Sequence, residues 1–291
     1  MDQATLVALE DRGLIAIGGA DRVTFLQGLV TSDITKLTAT NAQWAAFLTA
    51  QGKYLFDFFV FEAGEAIWLE VEKARIPDFM KRLKMYKLRS DVTLTDISDD
   101  HRVFAAFGPG ALDALGLPGE AGALIAEEGS IRFVDPRLAK AGARLILASG
   151  SDAPSGLVAG DRAAFDAHRI ALGLPDGSRD LVIDKSTLLE YGFDELGGVD
   201  WKKGCFMGQE LTARMKYRGL VKKRLVPAKA EGTLPEAGTH VMAGEKPVGE
   251  VFSGEGDQAL ILVKLEALEG DAPLVADGVT LTPQKPDWVN F

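Results

Sequence analysis

The sequence predicts an α+β body followed by a small all-β module, on three observations. Through about residue 225, strand-like and helix-like runs succeed each other without a strict βαβ rhythm, the pattern of an α+β body rather than of a parallel sheet. From 226 to 291 the apolar runs are short, β-rich and punctuated by Gly and Pro, the signature of a barrel or sandwich. The length of 291 residues exceeds what one ordinary core fills.

The first strands are expected over 5–9 and 14–17, split by the turn-like Asp11-Arg12-Gly13. Asp21 stands where a helix N-cap belongs, because Val23, Phe25, Leu26, Leu29 and Val30 then recur at helical spacing. Residues 42–49 and 54–61 read as strands joined by Gln51-Gly52-Lys53, and 66–72 alternates as a third. Ile76, Phe79, Met80, Leu83 and Tyr86 form the apolar stripe of a helix, with Lys81, Arg82, Lys84 and Arg89 mostly off it. A strand resumes at 91–95. Short strands at 103–107, 131–134 and 144–147, with a short helix near 111–115, lead to about residue 150. Asp161 caps a helix carrying Ala164, Phe165, His168 and Leu172, ended by Gly173-Leu174-Pro175. In the C-terminal module the strand candidates are 226–230, 248–252, 259–264 and 280–282.

An apolar fraction of 47% and a charged fraction of 25% are those of a folded globular chain. The first residues show neither a basic leader nor a long apolar core, so no secretory signal is expected. Apolar runs such as Phe58-Phe59-Val60-Phe61 fall far short of the roughly 20 residues of a membrane span. The single cysteine forbids an intrachain disulfide and a Cys₄ cluster, and it suggests a reducing compartment, here taken as the cytoplasm. Three scattered histidines argue against a histidine-based metal site. A net charge of −10 argues against direct nucleic-acid binding, whose affinity rests on neutralising phosphates. Neither a Gly-x-Gly-x-x-Gly nor a phosphate-loop motif is present.

Against that acidic background, residues 200–224 hold eight Lys/Arg and two acids, a net +6. A compact cationic segment in an acidic chain draws an anion. Within it lies Cys205, between two glycines and just after Lys202 and Lys203. Neighbouring cations favour a thiolate, which serves as nucleophile, as metal or cluster ligand, or as redox-sensitive group; the alternative is a small side chain packed under a loop. Gln209 and Glu210 present an amide and a carboxylate that suit the donor–acceptor edge of a heterocycle, or an acid in the first turn of a helix. Arg214 is a candidate for a carboxylate or phosphate. Glu190, after Leu188-Leu189, is either a pocket-wall acid or a surface turn acid. Phe165 and Trp201 offer stacking faces or core packing.

The run Lys203-Gly204-Cys205-Phe206-x-Gly208-Gln209-Glu210, followed by Ala213-Arg214, resembles the signature of the YgfZ / Iba57 family. These are folate-binding proteins related to the glycine-cleavage aminomethyltransferase, the T-protein. Supporting similarities run along nearly the whole chain: residues 22–28 with Asp33, Gln51-Gly52-Lys53, Tyr86-Lys87-Leu88-Arg89, Gly173-Leu174-Pro175 and residues 244–249. The resemblance implies a T-protein-like multidomain fold around a central folate cavity, with two interleaved α+β portions in 1–225 and a β-barrel in 226–291. It implies tetrahydrofolate, or a one-carbon derivative, as ligand, whose anionic tail suits the cationic window. It makes Cys205 the essential group, with Lys203, Glu190, Gln209, Glu210, Arg214, Phe165 and Arg12 as folate contacts. The last two take positions where some bacterial members carry tryptophan. It implies a role in maturing or repairing iron–sulfur proteins, in bacteria including tRNA-modifying enzymes, with iron–sulfur assembly proteins and client enzymes as partners.

One departure concerns catalysis. Aminomethyltransferases carry an Asp-Asp pair where this chain has Phe56-Asp57, and phenylalanine takes no proton, which argues against ordinary aminomethyl transfer. Three functions are therefore weighed: a folate-dependent iron–sulfur maturation factor, an aminomethyltransferase or other one-carbon enzyme, and a non-enzymatic RNA or protein adaptor. Cys205 has no protein-supplied partner thiol, so any cluster it holds needs ligands from elsewhere.

Overall fold

The computed structural model describes residues 3–290; Met1 and Asp2, on which the expectation of no secretory signal falls in part, and Phe291 lie outside them. The chain divides into two compact units, each built from separated segments. One comprises the residues up to Leu48, Leu55–Phe165 and Gly197–Met207; the other comprises Thr49–Tyr54, Asp166–Leu196 and the residues from Gly208 onward.

The elements of the first unit, in chain order, are β1 (Thr5–Ala8), β2 (Arg12–Gly18), α1 (Arg22–Gln27), β3 (Ala42–Leu48), β4 (Tyr54–Ala63), β5 (Ala66–Glu72), α2 (Ile76–Lys87), β6 (Thr93–Asp96), β7 (His101–Phe107), α3 (Ala111–Ala114), β8 (Leu124–Glu127), β9 (Ser130–Val134), β10 (Ala143–Ala148), β11 (Val158–Ala159) and the start of α4 (Arg162–Ala171). They form a five-stranded sheet, β3-β4-β5-β2-β6, and a six-stranded sheet, β11-β1-β7-β10-β9-β8. The first two strands, neighbours in sequence, thus belong to different sheets.

Strand alternation assigns the faces. Ile15, Ile17, Phe56, Phe58, Val60, Ile67, Leu69 and Val71 point to a core shared with Phe25 and Leu26 of α1 and Phe79 and Leu83 of α2. The opposite face of that sheet meets the six-stranded sheet: Phe59 and Phe61 lie 5.6 and 5.1 Å from Phe133, and Trp68 lies 4.7 Å from His101, between ring centroids. The six-stranded sheet's other face packs Leu145 and Leu147 beneath α3.

Where the structure departs from the sequence expectation, a competing contact explains it. Asp21 does not cap α1; its carboxylate accepts from the Asp91 backbone N–H at 2.7 Å. Tyr86 leaves the apolar stripe of α2 and is exposed, its ring meeting that of Phe47 edge-on. Asp161 does cap α4, accepting from Ala164 N at 2.9 Å. Leu88 closes α2 at φ +43°, a conformation rare for a bulky residue.

The second unit holds the rest of α4, α5 (Gln209–Tyr217) and a closed six-stranded barrel. Its strands are β12 (Lys223–Ala230), β13 (His240–Ala243), β14 (Lys246–Glu255), β15 (Gln258–Lys264), β16 (Leu274–Ala276) and β17 (Val279–Pro283). Closure leaves the barrel no open edge. Strands β13 and β16 were not legible in sequence: each is short, and β13 carries a bulge at Val241/Met242. Among the described residues no helix is long and apolar enough to cross a membrane.

Candidate functional site

The loop bearing Cys205 lies in the first unit and rests on the segment that follows α1. Phe25 and Leu26 are buried, which fixes α1 and places Gln27 at its end. The Gln27 amide then works in both directions. Its Oε1 accepts from Ile34 N at 2.8 Å, and its Nε2 donates to Asp33 Oδ1 at 2.9 Å and to the Lys203 carbonyl at 3.5 Å. Asp33 also accepts from the Thr35 hydroxyl at 2.6 Å. That hydrogen bond, helped by Gln27 and Lys36 against the cost of burial, holds its carboxyl below the usual carboxylate range.

Onto this platform the loop is tied along its length. The Thr31 hydroxyl donates to Gly198 O at 2.6 Å, Asp200 N to Thr31 O at 3.0 Å, and Met207 N to Gly28 O at 3.0 Å. Lys36 pairs with Asp200. The Lys203 ammonium donates to the carbonyls of Val30 and of Ser32, the latter at 2.7 Å, and lies 5.3 Å from the centroid of the Phe206 ring. Burial pushes Lys203 down to about 8, although Asp33 and Asp200 pull the other way. Phe206 is buried and Met207 packs on the α1–α2 core, while Cys205 just before them is exposed. Gly204 has φ +91° with open space around it, so conformation rather than room selects glycine there. The two motifs around Gln27 and Cys205, far apart in sequence, are therefore one structure.

The remaining sequence-named residues fall elsewhere. In the second unit, Gly208 (φ +80°) begins α5, Gln209 is half-buried, and Glu210 and Arg214 are exposed. Glu190 is half-buried and accepts from the Thr187 hydroxyl at 2.7 Å. Of the cationic window, Lys203 is committed to carbonyls, and Arg224 is buried against Leu189 O, Asp194 and Glu195. The positive surface is thus smaller than the count of eight suggests.

Arg12 and Phe165, in the first unit, were expected as flat faces for a pterin. Arg12 is instead buried and paired with Glu70, donating through Nη2 to its carbonyl at 3.0 Å. Phe165 is buried, with the guanidinium groups of Arg144 and Arg162 at 5.1 and 5.4 Å from its ring centroid. They belong to a buried polar layer between the two sheets that sequence reasoning missed. Arg144 Nε lies 3.5 Å from Glu70 Oε2, while Arg144 Nη1 has no hydrogen-bond partner. Asp135 binds Arg137 at 2.8 Å; burial pushes its carboxyl up, but Arg137 and Arg144 hold it below the usual range. Asp57 accepts from the Trp44 indole at 3.1 Å. The available signal was opposite charges at inward positions of strands, Glu70 in β5 and Arg144 in β10. An open cleft of about 610 Å³ lies over the outer face of the six-stranded sheet, lined among others by Asp113, Glu128 and Leu145; none of the sequence-named residues line it.

Comparison with known proteins bears on what this arrangement is. Residues 2–124 match the GCVT N-terminal domain and residues 222–291 the CAF17 C-terminal beta-barrel domain. The human iron-sulfur cluster assembly factor IBA57, mitochondrial, is 32% identical across 96% of this chain and 84% of its own length. The chain belongs to the IBA57 family. The IBA57 homolog of Aspergillus fumigatus is 30% identical over 95% of this chain and 73% of its own length. That of Mycosarcoma maydis is 34% identical over 81% of this chain; the match spans only 60% of that longer protein. A crystal structure of the glycine cleavage system aminomethyltransferase T from Bartonella henselae superposes with a TM-score of 0.79 at 17% identity, covering 99% of this chain and 87% of that one. The predicted α+β, T-protein-like fold with its C-terminal barrel is therefore the observed one. These IBA57 relatives are all named as mitochondrial proteins, which overturns the cytoplasmic location. A lone thiol indicates a reducing compartment and does not distinguish one such compartment from another.

Proposed function

We propose that this IBA57-family protein is a folate-binding factor for the maturation or repair of iron–sulfur proteins, with Cys205 as its reacting group. The observation that carries the reading is the exposure of the only thiol at the crest of a loop tied to a rigid platform. A side chain kept for packing is buried; this one is presented while Phe206 beside it is packed away. The similar proteins are named as iron–sulfur cluster assembly factors, which supports the same cargo here. Cys205 supplies one ligand, and among the described residues no group of three or more His, Cys, Asp or Glu is placed to hold a metal ion. A cluster in transit therefore takes its other ligands from the donor or client protein or from a small thiol. In bacteria the same reading extends to tetrahydrofolate-dependent support of tRNA-modifying iron–sulfur enzymes.

For the folate, Glu190, Gln209 and Arg214 are the proposed contacts, with the second Glu190 oxygen an acceptor for a pterin edge and Arg214 a cation for the carboxylate tail. Bound tetrahydrofolate would supply a one-carbon carrier. Arg12, Phe165 and Lys203 already have protein partners and serve the scaffold. Glu210, in the first turn of α5, complements the helix dipole.

The one-carbon transferase reading is weaker on geometry. Phe56 stacks on Phe79 at 4.4 Å within the apolar core, and the pleat turns only Asp57 to the opposite face.

The test is rescue of cells lacking the protein. Cys205→Ala should keep the wild-type melting temperature and lose rescue. Calorimetric titration with tetrahydrofolate should show binding that Glu190→Ala weakens at least tenfold. Full rescue by Cys205→Ala would reject the role of the thiol. Absence of tetrahydrofolate binding by the wild-type protein would reject the folate assignment.

A further inference from the structure

The end of α2 carries a surface that neither the fold nor the reacting loop uses. Residues 81–89, Lys-Arg-Leu-Lys-Met-Tyr-Lys-Leu-Arg, hold five cations and no acid, in a chain of net charge −10. Arg82 is drawn back to Asp78 at 3.3 Å, whereas Lys81, Lys84 and Arg89 are exposed and Lys87 is half-buried. Among them stand three exposed apolar side chains: Met85 at 59%, Tyr86 at 41% and Leu88 at 87% of full exposure. The dipole at a helix C-terminus explains Lys84 and Lys87. It does not explain a leucine held almost wholly in water at φ +43°, where glycine would sit relaxed.

The patch and the reacting loop are connected through the core of the first unit. The Tyr86 ring meets Phe47 at 6.0 Å; Phe47 bridges to Val30, whose carbonyl accepts from Lys203. Met207, two residues after Cys205, packs on the same core as Phe79 and Leu83 of α2.

We propose that the end of α2, Met85, Tyr86 and Leu88 among Lys81, Lys84, Lys87 and Arg89, docks an acidic face of a partner protein on the unit that carries Cys205. Charge complementarity selects an acidic partner. An apolar centre with a tyrosine inside a charged rim is the composition of a protein–protein contact. Nucleic-acid phosphates would use the cations and leave Met85 and Leu88 idle. A membrane surface requires a continuous apolar helix face, and that of α2 is buried in the core. That this partner delivers or receives the cargo of Cys205 rests on the function proposed above; the docking surface itself does not.

The test places photoreactive benzoylphenylalanine at position 88, and separately at 85, of the full chain expressed in cells, with position 158 as control. One light-dependent adduct is expected at 85 and 88, its peptide rich in Asp and Glu. Its yield should fall about tenfold in Lys84→Glu/Lys87→Glu, because reversing rim charges slows encounter. It should persist in Cys205→Ala. No adduct at either position, an adduct with a second copy of this chain, with RNA or with lipid, or an adduct indifferent to charge reversal would overturn the proposal. An adduct that persists while Cys205→Ala rescues fully would uphold the docking surface and reject only the role of the thiol.

Discussion

The Lys203 ammonium donates to the Ser32 carbonyl at 2.7 Å across 171 positions of sequence, and the same nitrogen also reaches the Val30 carbonyl. These bonds fasten the Cys205 loop to the segment after α1. Lys203→Met retains the aliphatic stem and removes both, leaving two acceptors short of a donor. Hydrogen bonds from charged groups contribute about 1.5–3 kcal/mol, so a stability loss of that order is expected in urea unfolding, together with altered thiol-labelling kinetics at Cys205. Unchanged stability and labelling would show that these ties do not hold the loop.

Lys203 also titrates in an accessible range. Its folded pKa of about 8 lies below the 10.5 of an ordinary lysine, so between those values the unfolded chain binds more protons than the native one. This group's contribution to stability therefore rises with pH through that window and is flat below about 8. Competitive acetylation against pH should give Lys203 a midpoint near 8. A midpoint at the ordinary lysine value of 10.5 would refute the shift.

Much of this was legible in the sequence, for physical reasons. The strands of the five-stranded sheet stand out as apolar runs because both their faces are covered, one by the α1–α2 core and the other by the six-stranded sheet, and β5 spans the 66–72 that the pattern predicts. The exposed thiol was legible because glycines and cations surrounded it. The ties from Gln27 and Lys203 were not, because a hydrogen bond to a distant carbonyl leaves no periodic trace. The pairing of Arg12 was hidden for a related reason: the family resemblance marks it as a folate contact, and only the register of β2 against β5 puts Glu70 in its reach. The positive φ of Leu88 was not legible, since no pattern announces a leucine in that conformation.

Glu70 lies fully buried between Arg12 and Arg144. Glu70→Leu would leave two buried guanidinium groups without that carboxylate, a loss of about 3–5 kcal/mol. Replacing all three at once, as Arg12→Met/Glu70→Leu/Arg144→Met, should recover most of that loss, because no uncompensated charge remains. The comparison of unfolding free energies isolates the coupling. A triple variant no more stable than the single one would mean that the layer is held by other contacts.

Gly52 has φ +79°, and a Cβ there would lie 2.7 Å from the Gly208 carbonyl oxygen and from Leu211 Cβ. The turn Gln51-Gly52-Lys53 therefore packs directly on the first turn of α5, the helix that presents Gln209 and Arg214. Gly52→Ala incurs both the left-handed backbone cost, about 1–2 kcal/mol, and overpacking, about 1–3 kcal/mol. The oxygen belongs to the backbone and yields only if the start of α5 moves. A lowered melting temperature is expected, with weaker tetrahydrofolate binding if α5 holds that ligand. A variant with wild-type melting temperature would show that the close approach between this turn and α5 does not exist in solution.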